Sequence, residues 1–163
     1  APPCCRSGLC GTRMLMTPRV QPASAPAAVS TREVPDVLLV DDNAVNRQVV
    51  KLFMAQLSPK FVEAVNGQEA LDRLHDEPFD IVLLDVHMPI MDGKEAIRHI
   101  RSSAEEWRNL PVIALTADAM SGDREKYLAL GMSDYVSKPL DQRELTAKIA
   151  GVMGARQLLS NAA

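Results

Sequence analysis

The chain has 163 residues and carries 18 Lys and Arg against 21 Asp and Glu, a formal net charge of -3. This length suits one domain plus an appendage, and the mild acidity argues against a nucleic-acid-binding surface, which normally concentrates Lys and Arg on one face. Apolar residues are frequent but scattered, and no run approaches the roughly 18 residues needed to cross a bilayer, so we expect no membrane contact by this chain.

Residues 1–34 are rich in Pro, Ala and Ser and lack aromatic residues, which predicts a linker or disordered arm. The cysteines Cys4, Cys5 and Cys10 all lie in this arm, and no His follows at zinc-finger spacing. This pattern favours reduced thiols over a metal site or a disulfide framework. Residue 1 is Ala and no apolar signal region follows, so we interpret the start as that of a fragment or processed chain, with cytoplasmic localisation.

From Pro35 onward, short apolar runs alternate with helical patterns, which is typical of repeated strand-helix units around a parallel sheet. The sequence therefore predicts an α/β fold, a doubly wound parallel sheet, with the domain at residues 35–154 and a C-terminal tail at 155–163. The predicted strands are 37–40, 61–64, 81–84, 112–115 and 134–136.

The predicted helices between the strands each carry one apolar stripe. In the first helix we expect Val45, Val49, Leu52 and Phe53 to bury against the sheet, because they recur at helical spacing. The stripes expected in the second, third and last helices are Ala70, Leu71 and Leu74; Ala96, Ile97 and Ile100; and Leu145, Ile149, Val152 and Met153.

Polar residues follow four of the predicted strands where each strand ends. Asp41 and Asp42 follow the first, Asp85 the third, Thr116 the fourth and Lys138 the fifth. In an open parallel sheet, ligands gather at the carboxyl ends of the strands. If the first and third strands are neighbours, three carboxylates converge there, and their mutual repulsion requires a compensating cation. Mg²⁺ is the natural candidate, because it is hard, prefers oxygen and binds carboxylates together with a phosphate.

These residue types also suit phosphoryl transfer. A carboxylate such as Asp85 can act as nucleophile toward a phosphoryl group, and Mg²⁺, Lys138 and Thr116 can position and neutralise that group. Each residue taken alone is more often a helix cap or a surface charge. Their occurrence at one edge of one sheet favours the functional interpretation.

Four motifs surround these residues: VLLVDDNAVNRQVV at 37–50, IVLLDVHMPIMDG at 81–93, PVIALTADA at 111–119 and GMSDYVSKPL at 131–140. Together they resemble the receiver domains of two-component response regulators. The phrases DDNAVNRQ and MPIMDG look most like receivers of hybrid sensor histidine kinases. The resemblance implies a flavodoxin-like (βα)5 fold with strand order 2-1-3-4-5.

The resemblance also implies a set of site residues. Asp85 would be the phosphoacceptor, and Asp42, Asp85 and the backbone carbonyl of His87 would bind Mg²⁺, with Asp41 acting through a metal-bound water. The phosphoryl group would come from a phosphohistidine of a histidine kinase or a histidine phosphotransfer domain.

A conformational switch follows from the same resemblance. Thr116 would hydrogen-bond the phosphoryl group, Lys138 would pair with it, and Tyr135 would turn inward as Thr116 moves. The change would be displayed to a downstream protein on the face built from the fourth helix, fifth strand and fifth helix. Family members usually have a cis peptide before the proline that corresponds to Pro139, and we expect one here.

Other classes are disfavoured, although the context of the domain stays open. A phosphatase with an aspartyl nucleophile requires the pattern Asp-x-Asp, which Asp85-Val86-His87 lacks. A flavin-binding electron carrier requires a Ser/Thr/Gly-rich loop after the first strand, where this chain has Asp41-Asp42-Asn43. We expect no independent metabolic enzyme. A standalone single-domain regulator and a part of a hybrid kinase, which could itself be membrane-anchored, are both compatible with the sequence.

Overall fold

The structure is a computed structural model that describes residues 34–57, 59–117 and 123–161. The predicted arm, with its three cysteines, lies outside the described residues except for Val34. No helix in the described ranges is long and apolar enough to cross a membrane.

A five-stranded, all-parallel sheet forms the centre of the fold, in the order β2-β1-β3-β4-β5. The predicted fold class and strand order are confirmed, and each strand differs from its predicted bounds by one residue. The strands are β1 (Asp36–Val40), β2 (Lys60–Ala64), β3 (Ile81–Asp85), β4 (Val112–Thr116) and β5 (Asp134–Ser137).

Five α-helices connect and follow these strands, and side-chain caps explain where four of them begin. Asn43, Asn66, Asp92 and Asp141 each accept a hydrogen bond from a backbone N–H in the first turn, at 2.9, 2.8, 2.7 and 3.0 Å. The helices are α1 (Ala44–Met54), α2 (Gly67–Asp76), α3 (Gly93–Ser102), α4 (Asp123–Ala129) and α5 (Gln142–Asn161).

The core consists of two apolar layers, one on each face of the sheet. Strand side chains point alternately to the two faces, so β1, β3 and β4 are buried on both, as parallel strands usually are. The stripes predicted for α2, α3 and α5 pack as expected, with Leu74, Ile100 and Ile149 buried. One layer includes α2, α3 and α4, and the other includes α1 and α5.

The predicted inner face of α1 is wrong in part: Phe53 packs against the core as expected, but Val45 and Leu52 do not. Val45 and Leu52 are 67% and 71% exposed, whereas Val50 and Met54 are fully buried. The true inner stripe is Asn46, Val50, Phe53 and Met54, at i, i+4, i+7 and i+8. Because the first residue of this stripe, Asn46, is polar, the apolar pattern pointed to a stripe that begins one residue earlier, at Val45. One residue corresponds to a rotation of about 100° around the helix axis.

Backbone geometry at two glycines brings elements close together. Gly93 begins α3 so near β3 that a Cβ atom there would lie 2.3 Å from the carbonyl oxygen of Asp85. Gly131 follows α4 with a φ of 96°, in the left-handed region that glycine tolerates. The peptide bond between Lys138 and Pro139 is cis, as expected.

Candidate functional site

The structure brings the acidic residues predicted from the sequence together at one edge of the sheet. Asp41 follows β1 directly and Asp85 is the last residue of β3, which neighbours β1. Carboxylate oxygens of Asp41, Asp42 and Asp85 all lie within 4.8 Å of one another. Asp41 and Asp85 are buried and Asp42 is exposed, so the cluster reaches solvent on the Asp42 side.

Lys138 links the two buried carboxylates. Its Nζ lies 3.0 Å from Asp41 Oδ2 and 2.9 Å from Asp85 Oδ2. The residue comes directly after β5, and its backbone N–H donates to the carbonyl of Thr116 at 2.7 Å, which ties this loop to the end of β4. Burial opposes the charge of the ammonium group, but the two carboxylates outweigh it and raise the pKa of Lys138. Lys138 is therefore a fixed cation within the acidic cluster.

Asp41 is held by several donors at once. Its Oδ1 accepts the backbone N–H of Asn43 at 2.8 Å, and Asn46 Nδ2 approaches both carboxylate oxygens at 3.2 and 3.1 Å. Arg47 Nη1 donates to the Asp41 carbonyl at 2.7 Å. These hydrogen bonds and the neighbouring Lys138 satisfy the acceptor oxygens of Asp41, whose solvent exposure is nil.

Asp85 has fewer partners within the described part of the chain. His87 N–H donates to Asp85 Oδ1 at 3.2 Å, and Lys138 approaches Oδ2. Burial raises the pKa of the Asp85 carboxyl, the ion pair with Lys138 opposes this, and the negative charge of Asp41 adds a smaller increase. His87 itself is exposed.

The donor set fits a small, hard cation. Three carboxylates against the one ammonium group of Lys138 leave an excess of negative charge, and the available donors are oxygens, which Mg²⁺ prefers. The exposed carboxylate of Asp42 leaves a route for a hydrated ion.

Thr116, the last residue of β4, is fully buried, and its hydroxyl lies 3.1 Å from the hydroxyl of Tyr127 on α4. Tyr135, on β5, is half-buried, and its ring centroid lies 6.4 Å from that of Tyr127. Lys148 Nζ lies 4.3 Å from the centroid of the Tyr135 ring. Tyr127 thus contacts both residues of the expected switch: Thr116 through its hydroxyl and Tyr135 through its ring.

Comparison with known proteins identifies the family. The sequence model of the response regulator receiver domain matches residues 37–150. The chain belongs to the response regulator receiver domain family. As a receiver domain of two-component signalling, it is not a metabolic enzyme.

Several curated relatives of this receiver domain are histidine kinases. The chain is 38% identical to the sensor histidine kinase GacS of Pseudomonas protegens over 133 residues, 80% of this chain and 14% of that protein. It is also 38% identical to the hybrid signal transduction histidine kinase I of Dictyostelium discoideum, over 67% of this chain and 7% of that protein. The receiver domain therefore spans a small part of the curated relatives it matches.

A solved structure agrees with the fold of the receiver domain. The receiver domain of the sensor histidine kinase PA1611 from Pseudomonas aeruginosa is similar with a TM-score of 0.68 and 36% identity, covering 74% of this chain and 98% of that one. That structure has a magnesium ion coordinated in its active-site cleft.

Sequence reasoning missed Asn46, Arg47 and Tyr127 as neighbours of the site in this receiver domain. Asn46 had a detectable signal, because it shares a helical stripe with Val50 and Met54 and must therefore face inward. The sequence contained only a weak signal for Tyr127, namely that it is one of two tyrosines in the chain.

Proposed function

We propose that this receiver domain accepts a phosphoryl group on Asp85, with Mg²⁺, from a phosphohistidine. The observation that carries the proposal is the position of Lys138 Nζ, which lies 2.9 Å from Asp85 and 3.0 Å from Asp41 inside a three-carboxylate cluster. A fixed cation beside clustered carboxylates suits the binding of a phosphoryl group and a metal ion together.

The contacts favour Asp85 over Asp41 as the nucleophile. Among the described residues, Asp41 accepts hydrogen bonds from Asn43, Asn46 and Lys138, which occupy both of its carboxylate oxygens. Asp85 has one backbone donor and one ion pair. The Asp85 carboxylate therefore keeps lone pairs that can attack a phosphorus atom, whereas Asp41 serves to orient Lys138.

In the proposed step, a carboxylate oxygen of Asp85 attacks phosphorus and forms a P–O bond while the P–N bond to imidazole breaks. The electron pair of that bond stays on the imidazole nitrogen, which takes up a proton. Lys138 Nζ already lies 2.9 Å from Asp85 Oδ2, so it is positioned to pair with the oxygens of a phosphoryl group on Asp85.

Asp41, Asp42, Asp85 and the backbone carbonyl of His87 would hold Mg²⁺, which supplies charge neutralisation for the phosphoryl oxygens. Asp41 would act through a metal-bound water. The clustering of the three carboxylates supports this assignment.

The partners of the domain follow from this chemistry. We infer a histidine kinase or a histidine phosphotransfer domain as donor, and a parent hybrid kinase, because relatives with that architecture share 38% identity. In this proposal Thr116 and Tyr135 carry the switch to the face built from α4, β5 and α5. The domain limits 35–154 belong to the same proposal.

The test is incubation with acetyl phosphate, with Mg²⁺ or with excess chelator, followed by intact mass measurement and peptide mapping. We expect an adduct of one phosphoryl group on Asp85 that requires Mg²⁺. The variant Asp85→Asn should not be labelled, and Asp42→Ala and Lys138→Ala should be labelled more slowly. Asp72→Asn, which removes an exposed carboxylate of α2, is the matched control and should be labelled normally.

Undiminished labelling of Asp85→Asn would overturn the assignment of the phosphoacceptor. Labelling that persists in excess chelator would contradict the role of Mg²⁺ but not the assignment of Asp85 as the phosphoacceptor.

A further inference from the structure

The hydroxyl of Tyr127 is a hydrogen-bond partner of Thr116, the residue that the proposed function requires to move. Its oxygen lies 3.1 Å from Thr116 Oγ1, and both side chains are buried, at 4% and 0% exposure. Sequence reasoning assigned Thr116 to the phosphoryl group and gave α4 no role in the resting protein. The structure instead joins the end of β4 to α4 through a buried hydrogen bond.

Tyr127 cannot readily follow Thr116 if Thr116 moves. The Tyr127 side chain belongs to the core layer that includes α2 and α3, and its ring contacts the Tyr135 ring. Its backbone carbonyl accepts the N–H of Met132 at 3.1 Å, in the turn that leads to β5. A closely packed side chain shifts only when its surroundings rearrange.

We propose that Tyr127 is a positioning residue that holds Thr116 in the resting conformation. This inference rests on the proposed function, in which Thr116 turns toward a phosphoryl group on Asp85. That movement lengthens the hydrogen bond to Tyr127 until it breaks, so the bond favours the unphosphorylated state and sets how readily the domain switches.

The same contact explains how the change could reach α4. When Thr116 leaves, the Tyr127 hydroxyl loses a buried partner, and an unsatisfied buried hydroxyl is costly. α4 must then shift or rotate enough to give that hydroxyl a new partner or solvent. Tyr135 contacts the Tyr127 ring, so the rearrangement includes β5 as well.

Tyr127→Phe tests the inference, because it deletes the hydroxyl and keeps the ring. The phosphoryl mimic is beryllofluoride, titrated at saturating Mg²⁺ and followed by calorimetry or amide NMR. Loss of one buried hydrogen bond from the resting state is worth about 1 kcal/mol, which corresponds to about fivefold tighter binding of the mimic. Ser102→Ala, which removes an exposed hydroxyl bonded to the His99 carbonyl, should leave the affinity unchanged.

A double-mutant cycle separates this role from a general loosening of the core. In a Thr116→Ala background the hydrogen bond is already absent, so Tyr127→Phe should then have no effect on affinity. Urea unfolding of all four proteins shows that each is folded during the titration. The inference stands if the fivefold gain appears with Thr116 and disappears without it.

Three results would overturn it: unchanged affinity of Tyr127→Phe, weaker binding, or a gain that persists in the Thr116→Ala background. If the unaltered chain neither binds beryllofluoride nor takes up phosphate, the proposed function fails first and this inference fails with it.

Discussion

A methyl group at position 93 should damage the fold at the point where α3 begins beside Asp85. In Gly93→Ala, the new Cβ atom would lie 2.3 Å from the Asp85 carbonyl oxygen and 2.9 Å from the Val86 Cα atom. Both are backbone atoms of the end of β3 and its following loop, so neither can turn aside as a flexible side chain would.

The size of the effect follows from this geometry. Ordinary Cβ contacts begin near 3.4 Å, so α3 and the end of β3 must separate by about 1 Å. Overpacking of this kind costs about 1–3 kcal/mol. The separation also weakens the 3.0 Å hydrogen bond from Gly93 N–H to the Val86 carbonyl, worth about 1 kcal/mol. Alanine regains about 0.5–1 kcal/mol in a helix, so we expect a net loss of about 1–3 kcal/mol.

The assay is urea unfolding followed by far-UV circular dichroism, compared through the free energy of unfolding. Gly151→Ala is the matched control, because Gly151 lies within α5 and a Cβ atom there would meet nothing within 4 Å. That variant should gain about 0.5–1 kcal/mol from helix propensity. The reasoning is refuted if Gly93→Ala unfolds within about 0.5 kcal/mol of the unaltered chain.

Two further predictions concern pH and backbone strain. Hydrogen bonds from Lys51 and then Arg47 lower the pKa of Glu63 below its ordinary 4.5, so its stabilising contribution is present above pH 4.5 and is lost as pH falls through the lowered value. Glu63→Gln should therefore be less stable than the unaltered chain at pH 7 and approach it in acid; a pH-independent difference would contradict this. Ile90 is 83% exposed with a φ of 72°, and the Met91 N–H donates to the Pro89 carbonyl at 2.9 Å, so Ile90 is the central residue of a strained γ-turn. Ile90→Gly should raise the unfolding free energy by about 1 kcal/mol, because glycine adopts positive φ without strain, and Ile90→Val, which keeps the branch, should not.

The strands and the edge that holds the site were predictable from local pattern. A parallel strand that is buried on both faces has an uninterrupted run of apolar residues, as in Ile81–Asp85, where four apolar residues are followed by one aspartate. The polar residue that ends such a run lies at the carboxyl edge whatever the strand order. Asp41, Asp85, Thr116 and Lys138 could therefore be placed at one edge from their positions alone.

The inner face of α1 was not predictable by counting apolar residues, because the site itself interrupts the pattern. Asn46 lies on the inner face of α1, where its amide contacts Asp41. Because this inner position is polar, the exposed stripe with Val45 and Leu52 looked more apolar than the buried one. The hydrogen bonds between Asn46 and Asp41 thus outweighed the local preference to bury Val45 and Leu52.

Other contacts depended on the tertiary structure alone. Lys138 meets Asp41 across 97 positions of sequence, and Arg47 meets Glu63 because β2 pairs with β1. Thr116 and Tyr127 are only eleven residues apart, yet their hydroxyls meet because α4 packs back across the sheet. Residue types and local periodicity determined the strands and the inner faces of α2, α3 and α5, whereas the inner face of α1 depended on the contact between Asn46 and Asp41. Strand order and helix packing determine which inward side chains meet, since those contacts join segments that local pattern does not relate.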